Sequence, residues 1–213
     1  MSEQGTGGIE SIETTSRQIG IGDSFVAKLK QSGAIIEIPD FESAGVPAMN
    51  GTNETGNPYL FEKVRKQPEA PNGYLIGIGA ANVFAMLEAF PQGVEPKAII
   101  LVDIDPAVVA EGERLIQSFK ETPSDPSVRL ESWDRIFNPN FPANTTNAIK
   151  KYAPLLHKLA REGNLAIIRA DFTDPRVVEE LVNLPDIHNL NNVIYLSNIA
   201  DHIWRREIEN KNN

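Results

Sequence analysis

The 213-residue chain contains no cysteine. That absence removes disulfide frameworks, thiolate zinc sites, iron–sulfur clusters and cysteine nucleophiles. Histidine is nearly as scarce: His157, His188 and His202 stand apart and share no metal-ligand spacing, so no metal site is expected. No stretch reaches the roughly 18 apolar residues of a membrane span. Met1 to Gly8 is polar and lacks the apolar segment of a secretory signal. The expectation is a soluble, cytoplasmic protein without membrane contact, with signal-independent secretion left open. Positive charge is also short, since 20 Lys and Arg against 29 Asp and Glu give a formal net charge of −9. Such a balance repels phosphate backbones and anionic lipids. The doublets Arg65-Lys66, Lys150-Lys151 and Arg205-Arg206 are dispersed, without the interleaved aromatics of single-strand binders. Nucleic acid is not expected as a partner.

What is present suits a globular protein: 41% hydrophobic and 23% charged residues, over a length fit for one domain with an elaboration. Residues 1–17 read as a flexible N-terminus and 18–71 as an N-terminal elaboration. Within the elaboration, a short helical pattern runs through Phe25, Val26 and Leu29, and Ala34–Ile38 is a β-branched run stopped by Pro39. Pro39 to Pro58 reads as loop, and Tyr59-Leu60-Phe61 as the seed of a short helix.

From Tyr74 onward the pattern alternates. Tyr74–Ile78 reads as a strand entering a two-glycine turn, and 82–90 carries Val83, Leu87 and Phe90 at helical spacing. Ala98–Val102 is a continuous apolar run of the kind a sheet buries on both faces. Asp105 is placed as N-cap and Pro106 as first-turn proline of a helix with Val108, Leu115 and Phe119 on one side. Glu121–Thr146 reads as a surface excursion anchored by Trp133 and Phe137, and Ile149–Leu159 as a helix that Pro154 kinks or begins. Leu165–Ile168 gives a third strand. Asp174-Pro175 opens a helix expected to turn Val177, Val178, Leu181 and Val182 inward, and Val193–Leu196 gives a fourth strand. Strand–helix alternation implies an α/β fold: a doubly wound, mostly parallel sheet with an N-terminal elaboration. Ligands of such sheets lie beyond the carboxyl ends of the strands.

Each strand end carries residues suited to a nucleoside. Gly77 and Gly79 let the backbone turn tightly and approach a ligand, although two glycines also serve a plain strand-to-helix turn. Asp103 lies 24 residues after Gly79 (79 to 103), near the roughly 20-residue spacing at which an acid accepts hydrogen bonds from ribose. Asp171 is a candidate acceptor for an exocyclic adenine amine with Phe172 against the ring; the plain alternative is a polar turn. Ser197 and Asn198, with Asp201 and His202, would face the reacting group, against plainer roles as turn and capping residues.

The ordered series Tyr74–Ala81, Val102–Pro106, Ala170–Phe172 and Leu196–Asn198 resembles the motifs of class I S-adenosylmethionine-dependent methyltransferases, over about residues 72 to 204. The resemblance implies a Rossmann-like cofactor-binding domain at 72–213 with S-adenosylmethionine as cofactor. Gly77 and Gly79 would lie against its methionine part, Asp103 on the ribose, and Asp171 and Phe172 on adenine. Ser197 joins the cofactor-binding set, and Asn198, Asp201 and His202 are the catalytic candidates. The implied acceptor is a small molecule or a protein. The chain departs from the family in three places. Leu75 stands where the family has an acid, and Ala81 where it has a third glycine. Only nine residues follow Trp204, whereas the family sheet continues through three more strands. Residues 18–70, with Ile35–Ile38, would supply missing strands; otherwise the chain is a fragment or a reduced member. Two other readings stand beside this one. A nicotinamide-dependent oxidoreductase is disfavoured because its one Tyr-x-x-x-Lys pair, Tyr59 and Lys63, precedes the glycine turn. The other is a non-catalytic interaction protein with a degenerate cofactor fold. Oligomeric state is not legible in the sequence.

Overall fold

The computed structural model describes residues 19–36, 66–79, 81–121 and 143–196. The N-terminus 1–17, the loop between Pro39 and Pro58, Tyr59–Phe61, Trp133, Phe137, Ser197, Asn198, Asp201 and His202 lie outside the described residues. The described chain forms helix α1 (Ile21–Ser32), strand β1 (Leu75–Ile78), a 3-10 helix (Ala81–Ala89) and β2 (Ile99–Asp103). Helices α2 (Pro106–Glu121) and α3 (Ala143–Arg161), β3 (Leu165–Arg169), α4 (Pro175–Val182), a 3-10 turn (Ile187–Asn189) and β4 (Val193–Tyr195) follow.

The four strands make one sheet in the order β3-β2-β1-β4, and all three pairings are parallel. Apart from Asp103 and Arg169 at the carboxyl ends of β2 and β3, the strands carry no charged residue, because helices pack on both faces of the sheet. Leu75, Ile99, Leu101, Leu165, Ile167 and Val193 point to a core shared with the first 3-10 helix, α2 and α3. Their alternate neighbours Ile76, Ile100, Val102 and Ile168 point to a second core shared with α1 and α4. Each fully buried aliphatic side chain contributes about 1.5–3 kcal/mol, so these two layers dominate the stability of the sheet.

Local chemistry sets the helix starts. Asp105 Oδ1 accepts from Ala107 N at 2.8 Å, and Asp174 Oδ1 accepts from Arg176 N at 2.9 Å, each beside a first-turn proline, as the sequence predicts. Helix α1 begins differently. Its first N–H groups are taken by the α3–β3 turn: Ile21 N donates to Asn164 Oδ1 at 2.8 Å and Asp23 N to Gly163 O at 2.9 Å. That contact needs glycine at position 20, where a Cβ would lie 2.1 Å from the carbonyl oxygen of Glu162.

Several expectations are corrected. The segment after β1 is a nine-residue 3-10 helix rather than an α-helix, long for that form. Val83 through Leu87, Ala89 and Phe90 are buried, so it has no solvated stripe for a 3.6-residue period to set apart. Pro154 neither begins nor ends α3, which runs through it from Ala143 to Arg161. The proline is exposed, and Ile149 and Ala153 before it and Leu156, Leu159 and Ala160 after it all reach the core. Packing on both sides outweighs the missing N–H. In α4 only Val177 and Leu181 face inward; Val178 and Val182 are 42% and 45% exposed. Of the expected run Ala34–Ile38, Glu37 and Ile38 lie outside the described residues; Ala34–Ile36 has no strand assignment, although Ile36 N donates to Arg169 O at 2.8 Å along the outer edge of β3.

Candidate functional site

Because the strands are parallel, their carboxyl ends share one edge of the sheet. The chain order reverses at β1: β2 and β3 lie on one side of it and β4 on the other. The connections between β1, β2 and β3 lie on one face, and α4 crosses to β4 on the opposite face. The carboxyl edge beside β1 and β4 is therefore the position at which open parallel sheets generally accept a ligand.

Three of the sequence-predicted residues meet there. Gly77 is the third residue of β1, and a Cβ on it would lie 2.5 Å from Val83 Cγ1, so its absence lets the following helix close on the strand. Gly79 has φ 107°, a conformation that side-chain-bearing residues rarely adopt. Asp103 ends the neighbouring strand, and its carboxylate faces the N–H groups of Gly79, Ile104 and Asp105. The last of these donates to Asp103 Oδ1 at 2.8 Å. The Gly79 N–H has the weakest influence of the three on the carboxyl.

Burial raises the Asp103 carboxyl above its ordinary range, and the negative charge of Asp105 adds to this, while the three main-chain donors oppose it. The sign of the pH effect follows. A folded-state pKa above the unfolded value contributes stability that is present below about pH 3.9 and lost as pH rises through the raised value. Glu111 and Glu113 are raised by burial as well, so the whole-protein profile is not diagnostic. The difference between wild type and Asp103→Asn is. Relative to wild type, the variant should gain stability as pH rises from about 3.5 to 6. Thermal unfolding midpoints across that range read this directly, and a constant offset would refute the assignment.

The third strand end is occupied differently. Asp171 Oδ1 accepts from Thr173 N at 2.8 Å and from Thr173 Oγ1 at 2.7 Å, closing a local turn ahead of α4. Phe172 is half-buried and packs on the core that faces α1 and α4. The edge is tied together by Ala170 N donating to Asp103 O at 3.0 Å and Arg169 Nε to Ile104 O at 3.1 Å. One residue that sequence reasoning passed over is Tyr195, which pairs in register with Gly77 at the reversal point. Its signal was hidden inside an apolar run, where strand register is not visible.

A cavity of about 710 Å³ lies elsewhere, lined by residues 19–21, Asp23 and 161–164, against the amino ends of the strands. Its helix terminus is already capped by Gly163 and Asn164, so it does not compete as an anion site. Among the described residues no three His, Asp or Glu side chains are grouped to hold a metal ion. No described helix is long and apolar enough to cross a membrane.

Fold and site together define an α/β domain with a four-stranded parallel sheet and a glycine–carboxylate pair at its reversal point. Comparison of the chain with protein-family models, curated proteins and solved structures finds no match.

Proposed function

We propose that the chain is a doubly wound, Rossmann-like domain that binds S-adenosylmethionine and transfers its methyl group to a small molecule or a protein. The observation that carries this reading is the Asp103 carboxylate at the carboxyl end of β2, beside the glycine turn that ends the neighbouring β1, where the strand order reverses. The arrangement suits a nucleoside. A carboxylate has about four acceptor positions, so three main-chain donors leave room for a ribose hydroxyl. The glycine turn lets main chain come close to the ligand without a Cβ in the way.

Bound there, S-adenosylmethionine supplies a methyl group on a sulfonium, whose in-line displacement needs alignment and exclusion of water more than acid–base groups. In this reading Asp103 orients the ribose and Gly77 and Gly79 border the methionine part. Asp171, Phe172 and Ser197 border the adenine side, and Asn198, Asp201 and His202 remain the candidates beside the acceptor. The net charge of −9 favours an acceptor other than nucleic acid, in a cytoplasmic setting. Calorimetric titration with S-adenosylmethionine or its demethylated product should show saturable one-site binding. Absence of heat at millimolar ligand overturns the proposal, and saturation by NAD in its place moves the assignment to an oxidoreductase.

A further inference from the structure

Asp103 and Arg169 stand side by side at the carboxyl edge. They are register partners on the neighbouring strands β2 and β3, so their side chains leave the sheet on the same face. The backbone fixes both positions. Ala170 N donates to Asp103 O at 3.0 Å, and Ile36 N donates to Arg169 O at 2.8 Å on the outer side of β3. Burial is the first influence on the Asp103 carboxyl, followed by the Asp105 N–H, the Asp105 charge and the N–H groups of Ile104 and Gly79. The guanidinium beside it is not one of them.

What connects the two side chains is a single peptide. Arg169 Nε donates to the carbonyl oxygen of Ile104 at 3.1 Å. The N–H of that same peptide unit belongs to Asp105, and it donates to Asp103 Oδ1 at 2.8 Å. A trans peptide is planar, with its C=O and N–H pointing in opposite directions, so a donor that holds one end sets the direction of the other. Arg169 therefore holds one end of the amide whose other end holds the carboxylate. Of the three main-chain donors on Asp103, this N–H has the largest influence. A cation on the carbonyl also polarises the amide and strengthens the bond its N–H makes, since hydrogen bonds in a chain reinforce one another.

We propose that Arg169 is a positioning residue for Asp103: through the Ile104–Asp105 peptide it fixes the direction in which the carboxylate presents its remaining acceptor positions. The consequence for ligand binding rests on the reading of Asp103 as the ribose acceptor; the link between the two side chains does not. The plain alternative is a bond that only ties the end of β3 to the end of β2.

Two substitutions separate these roles. Methionine matches arginine in length as far as Nε but donates nothing. Glutamine places an amide nitrogen at the position of Nε, and so keeps the donor while removing the charge. Arg169 is only half-buried, so the sheet survives either change, which circular dichroism verifies. In the ligand-free protein, carbon NMR of the Asp103 carboxyl should show its titration moved upward in Arg169→Met, where the N–H that favours the charged form is no longer held in line. Arg169→Gln should return it to the wild-type position, with Asp105 unchanged in all three proteins. Calorimetry should show S-adenosylmethionine bound about 3- to 10-fold more weakly by Arg169→Met, the equivalent of one neutral hydrogen bond, and near wild-type strength in Arg169→Gln. An unmoved titration in Arg169→Met overturns the proposal and leaves the bond as a tie between strands. So does an equal shift in both variants, since the guanidinium charge would then act through space. If the wild type binds no S-adenosylmethionine, the cofactor reading falls and the titration alone decides the link. A titration that moves while affinity does not removes Asp103 from the ligand and leaves the link standing.

Discussion

Phe25→Ala is expected to lower the free energy of unfolding by about 3–5 kcal/mol. Phe25 is 2% exposed and sits with Leu29, Tyr74, Ile76, Ile100 and Ile168 in the core that α1 and α4 share. Helix α1 has 12 residues, a length at which an isolated helix is marginal in water, so it persists only through what it packs against. Its other attachments are weaker. The Lys28–Glu180 pair is half exposed on the lysine side and worth at most about 1 kcal/mol, and the bonds to Gly163 and Asn164 hold only its first turn. Removing the ring leaves a cavity beneath the helix that Leu29 alone cannot fill. Against a total of about 5–15 kcal/mol for a domain, the loss is large. Urea unfolding of wild type and variant measures it. A loss under about 1 kcal/mol would show that α1 is not a packed part of the sheet, and two separated transitions would show that it unfolds by itself.

The order of strands and helices was legible wherever a single local rule decided. Ile99–Val102 and Leu165–Ile168 are unbroken apolar runs because both faces of the sheet are covered. Asp105 and Asp174 were legible as caps because a carboxylate beside a first-turn proline acts within one helical turn. That the glycine turn and Asp103 end neighbouring strands was legible through spacing, since a strand–helix–strand unit brings those ends to one edge whatever the intervening sequence. Rules that depend on neighbours were not. Val178 and Val182 read as core because α4 has two adjacent apolar stripes, and only tertiary packing selects Val177 and Leu181. Pro154 read as a kink or a helix start because its cost is local; the start is overridden by packing from five other side chains. Gly20 and Gly22 repeat the spacing of Gly77 and Gly79, yet Gly20 lets a helix end approach the α3–β3 turn. Strand register, which sets Tyr195 opposite Gly77, has no signature along the chain.

Asp103→Ala is expected to weaken binding of S-adenosylmethionine by about 10- to 100-fold. A hydrogen bond to a charged group contributes about 1.5–3 kcal/mol. One ribose hydroxyl on the carboxylate therefore accounts for that range, since each 1.4 kcal/mol is tenfold in affinity. The same change removes the acceptor of the Asp105 N–H, 2.8 Å from Asp103 Oδ1, so the end of β2 loosens as well. Asp103→Asn keeps the shape and one acceptor oxygen and should fall between the two. The asparagine variant also separates function from folding. Burial raises the Asp103 carboxyl, so its charge costs stability at neutral pH, and removing the charge should make the protein less sensitive to rising pH while it binds ligand less well. A residue whose role is only to lock the strand end to the turn would not show affinity and pH-dependent stability moving in opposite directions. Calorimetric affinities for the three proteins, set beside their unfolding midpoints at pH 4 and 7, decide between these roles. Unchanged affinity in Asp103→Ala removes the ribose assignment and leaves the carboxylate as a lock.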